Sequence, residues 1–111
     1  MTPSAFKRSL SSKRPPSGLS PALIALWWAG NDNWNKAHEI VMREEGADCA
    51  WVHAYLHRVE GDRDNARYWY RQARRASPLP SLPRQRGREG RGDLASEWAA
   101  IAAALLGSTR S

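Results

Sequence analysis

Hydrophobic positions recur along this chain at helical spacing, in segments bounded by capping residues and glycines. Ser20 and Pro21 supply an N-cap and a first-turn proline, and ALIALWWA then runs to a stop at Gly30. Asp32 or Asn33 can cap a second helix, WNKAHEIVMREE, ending at Gly46. At about 100° per residue, Trp34, Ala37, His38, Val41 and Met42 share one arc of it, opposite Asn35, Lys36, Glu39 and Arg43. The pattern turns His38 toward the core. Asp48 caps a third helix, CAWVHAYLHRVE, which Gly61 ends, and Asp62 opens a fourth, RDNARYWYRQARRA, closed by Ser77 and Pro78. Both sides of the third helix carry large or packable residues, so it is expected to be covered on both. After a linker over residues 79–92, Asp93 caps a last helix in which Leu94, Trp98, Ile101 and Leu105 recur at i, i+4, i+7 and i+11, with Gly107 as its stop. A stripe that regular must dock, and the open end of the preceding helix stack is its natural partner.

The first eighteen residues lack this pattern. They offer too little apolar surface to offset the entropy of ordering, and residues 1–18 are expected to be a disordered basic arm. The domain is expected over 19–107, with a tail at 108–111. Six tryptophans and three tyrosines in 111 residues should dominate its packing.

A net charge of +6 raises the question of nucleic-acid binding, so its location matters. Lys7, Arg8, Lys13 and Arg14 stand in the arm with no acid, and Arg84, Arg86, Arg88 and Arg91 in the linker face only Glu89. Acids and bases balance over residues 19–78. The expected folded part is therefore neutral, which weakens a nucleic-acid reading without removing it. One cysteine, Cys49, cannot make an intrachain disulfide, and no apolar run reaches secretory-signal or membrane-spanning length. The basic, serine-rich start has the composition of an organellar transit peptide, but a cytoplasmic location is the expectation.

From Gly61 onward, Ala66, Tyr70, Ala73 and Pro78 fall five, nine, twelve and seventeen residues later. This spacing resembles the second half of a tetratricopeptide repeat, and NARYWYRQA is similar to the related Sel-like repeats. Ala54, seven before Gly61, fits the same pattern; His57 and Ala50 stand where the family prefers tyrosine and tryptophan. Residues 47–78 carry the resemblance, and the first hairpin matches only at Ala37 and Val41. The chain also resembles small bacterial proteins with a WVHAYLHR, EGD, NA and YWYR core, a resemblance that implies no activity. The fold expected is all-α: antiparallel helical hairpins of tetratricopeptide-like type with a C-terminal capping helix.

His53 and His57 lie four apart on one helix face, and His38 can add a third nitrogen from the neighbouring helix, with Glu60 and Asp62 as the nearby carboxylates. Ala54 stands where a zinc protease places its glutamate after the first histidine. The histidines are expected to be interior hydrogen-bonding groups meeting Tyr70, Trp69 or Asn65; a metalloprotein is the alternative, and no metal, cofactor or catalytic residue is assigned at this level. Arg63, Arg67, Arg71, Arg74 and Arg75 share one arc of the fourth helix, a face suited to an acidic peptide, a phosphate backbone or an anionic surface, or simply to solvent. Trp51 and Tyr55 lie on the face that lines the concave groove of tetratricopeptide-like repeats, where they anchor a peptide unless the last helix covers them. RGREGRG is similar to RNA-binding arginine-glycine segments in a single short copy. The function expected is a non-enzymatic adaptor docking a protein or peptide partner through these seven residues. A nucleic-acid accessory protein is the rival, and self-association through the open stack end is a further option.

Overall fold

Thr2, Ser20, Asn33 and Asp62 each accept a hydrogen bond from the backbone N–H three residues on, satisfying a donor that the first turn of a helix leaves open. The helices they start are α1 (Pro3–Arg8), α2 (Pro21–Gly30), α3 (Trp34–Arg43) and α5 (Arg63–Gln72); α4 (Ala47–Glu60) and α6 (Arg91–Ser108) complete the set. The computed structural model describes residues 1–75 and 91–108, and among these all regular structure is helical. Of the expected linker, residues 79–90 lie outside the described residues, as do Ser77 and Pro78.

Helix α2 packs on α3 and α4 on α5, each pair joined by a tight turn, and α3 lies against α4. Gly61 ends α4 with φ +88°, a conformation that costs a residue with a Cβ about 1–2 kcal/mol. The small residues Ala37, Ala50, Ala54, Ala66 and Ala73 are all buried, which lets the rods approach closely around Trp27, Leu26, Leu56 and Tyr70. Helix α6 docks its Trp98, Ile101 and Leu105 stripe against α2 and α4, as the periodicity requires. Helix α6 thus lies mainly against α1, α2 and α4.

The start of the chain departs from expectation. Residues Pro3–Arg8 are helical and Phe6 is fully buried, stacked on Trp98 with ring centroids 5.4 Å apart. Its burial contributes about 1.5–3 kcal/mol, and a hydrogen bond from Trp27 Nε1 to Ser9 Oγ at 3.1 Å ties the following turn to α2. Gly30 permits this assembly: a Cβ there would stand 2.9 Å from the Trp98 ring and 3.1 Å from Leu10.

Other boundaries shift. Gly46, not Asp48, precedes α4, and Asp48 sits in its first turn. Helix α6 begins at Arg91, with Asp93 in its first turn instead of at the cap. Helix α5 stops at Gln72 because Arg74 takes φ +60° and the Arg75 N–H returns to the Tyr70 carbonyl. Met42, assigned to the core arc of α3, is 62% exposed, since none of the described helices covers that edge of α3.

Candidate functional site

Of the seven residues expected to bind a partner, Arg63, Arg67 and Arg71 share the outer side of α5, and Arg67 pairs with Asp64 at 3.4 Å. Arg74 and Arg75 leave that face, since the helix has already ended. Arg75 instead lays its guanidinium over the Trp51 ring, 3.7 Å from the centroid. Trp51 is covered by α6 and by the Arg75 guanidinium, and Tyr55 is nearly enclosed between α4 and α6. Covering is what an apolar aromatic face does when a docking helix is tethered in the same chain.

Beneath α6 lies a polar knot that sequence reasoning missed. Glu97 accepts hydrogen bonds from Tyr70 Oη at 2.6 and 2.7 Å, from Arg58 Nη1 at 2.6 Å and from Trp51 Nε1 at 3.3 Å. Burial, and then the Glu97 carboxylate, push the Tyr70 hydroxyl far above the ordinary tyrosine range. An acid beside Trp98 partway along a largely apolar helix, and an arginine on a helix covered from both sides, were the available signals.

The histidines form the one tight cluster of ionisable rings among the described residues. The 3.6-residue period puts His53 and His57 on the same face of α4, stacked with centroids 4.9 Å apart. Helix α3 packs against α4, and His38 reaches across to bring its Nε2 to 3.2 Å from His53 Nε2. His38 stands edge-on to both partners. The potential ligand atoms of all three lie within 4.8 Å of one another.

The walls of this cluster are fixed. Trp69 stacks on His53 at 4.0 Å and Trp34 on His38 at 4.5 Å, and Trp34 is itself held by its Nε1 hydrogen bond to the Leu56 carbonyl at 2.7 Å. His57 Nδ1 meets Glu60 Oε2 at 2.7 Å, which leaves Nε2 as its remaining nitrogen. Of the partners expected for packed histidines, only Trp69 is met. Tyr70 is committed to Glu97, and Asn65 bonds the Asp62 cap.

Burial, with His57 and His38 adding to it, holds His53 down to about 4. Burial and His57 lower His38 as well, against a smaller opposing effect of Glu60. Both rings are therefore neutral at pH 7 and present a lone pair. Two nitrogens on a tetrahedral ion with bonds of about 2.0–2.1 Å stand about 3.3–3.4 Å apart. The His38–His53 separation is close to that edge, and the potential ligand atom of His57 lies within 4.8 Å of the other two.

Among the described residues no helix is long and apolar enough to cross a membrane. No family model, curated protein or solved structure matches the chain.

Proposed function

We propose that the protein binds one divalent transition-metal ion through His38, His53 and His57. The observation that carries this reading is the convergence of three imidazoles, from two helices, on one point. Two of the rings meet nitrogen to nitrogen at 3.2 Å, a spacing that either a shared proton or a shared ion accounts for. An all-nitrogen set disfavours Mg2+ and Ca2+, which seek oxygen, and suits Zn2+, Co2+, Ni2+ or Cu2+. Three protein ligands leave a fourth position for water or for a partner's side chain. Glu60 acts from behind by accepting the His57 Nδ1 proton, so that the Nε2 lone pair faces the ion. An ion there also fastens α3 to α4. No reaction is assigned to the site. Elemental analysis of protein reconstituted with Zn2+ and dialysed tests the reading. One equivalent, with a melting temperature that falls on chelation, is the expected result; no retained metal and no shift rejects it.

A second reading, docking of an acidic peptide, draws support from exposed Tyr68, 44% accessible, with the Arg71 guanidinium 6.0 Å from its ring centre. Arg74 adds exposed charge just past the helix end. The tetratricopeptide-like character of the hairpins is part of this reading, supported by buried Ala54, Ala66, Ala73 and Tyr70 at the repeat's spacing. Binding of an aspartate-rich peptide that R71E/R74E abolishes is the expected result. Equal binding by the variant, or preference for a single-stranded oligonucleotide with steep salt dependence, removes it.

A further inference from the structure

Trp34, which stacks on His38, also lines a cavity of about 600 Å3 that opens between the N-terminal segment, α4 and α6. That volume is in the range of pockets that hold small organic molecules. Its walls are mostly apolar and include two indoles with their N–H groups already spent: Trp34 Nε1 on the Leu56 carbonyl, and Trp98 Nε1 on the Leu26 carbonyl at 2.9 Å. Trp98 is further pinned by its stack on Phe6. The ring walls are therefore set before anything enters.

Tyr55 is the exception in this lining. It is 7% exposed, lines the cavity, and its hydroxyl has no hydrogen-bond partner among the described residues. Every fully buried side-chain nitrogen and oxygen among those residues is paired, so the Tyr55 hydroxyl is one that still reaches open space. A tyrosine so nearly enclosed usually finds a partner for its O–H. With burial pushing its ionisation up to about 12, the hydroxyl keeps its proton at neutral pH and is a donor in waiting. Asp32 and Lys7, both exposed, stand at the mouth.

We infer that this cavity is a binding site for a flat, mostly apolar small molecule carrying a carbonyl, whose ring lies among Trp34, Trp98 and Leu56 and whose oxygen accepts the Tyr55 O–H. The inference is independent of the metal reading, and Trp34 is the wall the two sites share. The probes are 1-tetralone and its parent hydrocarbon tetralin, titrated into metal-free full-length protein while the indole N–H resonances of Trp34 and Trp98 are followed by NMR. Both resonances move, and the ketone binds about fivefold tighter than the hydrocarbon, the factor expected of one net hydrogen bond. Tyr55→Phe keeps the shape and abolishes the preference. Ala99→Leu, at an exposed position of α6 lining the cavity, blocks both probes while leaving the melting curve in place. Absence of any indole shift up to the solubility limit overturns the site. Equal affinity for the two probes, or a preference that survives Tyr55→Phe, overturns the assignment to Tyr55.

Discussion

Replacing Glu97 with alanine should loosen the grip of α6 on the rest of the fold. The carboxylate holds Arg58, Tyr70 and Trp51 at once, and the Arg58 and Glu97 side chains are 6% and 9% exposed. Removing one partner of a buried ion pair costs about 3–5 kcal/mol, because the remaining charge keeps its desolvation penalty and loses its counter-charge. Total stabilities of small domains are about 5–15 kcal/mol, so the variant should sit near the edge of folding. At about 4–8 °C per kcal/mol for a domain of this size, the melting temperature should drop by at least about 12 °C. Urea denaturation followed by tryptophan fluorescence measures the loss. The double replacement Arg58→Met with Glu97→Leu tests the cause: with both charges gone, the part of the loss due to the unpaired arginine should return, while Tyr70 and Trp51 still lack their acceptor. A loss under about 1 kcal/mol for Glu97→Ala, or a double variant no better than the single one, would refute the claim that this knot clamps α6.

Phe6→Ala should cost about 3–5 kcal/mol, as for any fully buried aromatic, whereas a disordered arm would make it silent; a urea midpoint decides. Stability of the metal-free protein should fall with acid. His53 is held near 4 in the fold and relaxes to about 6.5 when unfolded, so below pH 6.5 the unfolded chain takes up a proton that the fold refuses. The loss grows by up to about 1.4 kcal/mol per pH unit down to about pH 4 and is absent above pH 7, a slope that urea midpoints at pH 7.5, 6.0 and 5.0 report. Glu60→Gln should weaken Zn2+ binding about 10- to 100-fold, with partial recovery in Glu60→Asp, measured by competition with a chelating dye. Gly61→Ala should cost about 1–2 kcal/mol through its positive φ, without changing metal affinity.

What could be read from the sequence was local. The caps at Ser20, Asn33 and Asp62 and the α6 stripe are signals within one or two turns, and each appears where the pattern places it. Helix α1 escaped because one phenylalanine in a polar stretch gains burial only from Trp98, a partner at the other end of the chain. The early end of α5 has no glycine to mark it, so Arg74 and Arg75 were counted on a face that the backbone had already left. Periodicity put His53 and His57 on one side and turned His38 inward. That their nitrogens meet depends on how closely α3 approaches α4, and a wheel drawn for one helix carries no information on that distance. Glu97 illustrates the same limit, since its three donors come from α4 and α5.

The most direct measurement is a cobalt(II) titration of the metal-free protein at pH 7.5, read by visible absorption. Three imidazoles plus one further ligand give the intense bands of four-coordinate Co2+, saturating at one equivalent and lost in His38→Ala, a change at the least buried of the three ligands. Saturation at one equivalent in the wild type, with no intense band in His38→Ala, is the predicted result. A titration that never develops such bands, or an undiminished spectrum in His38→Ala, would contradict it.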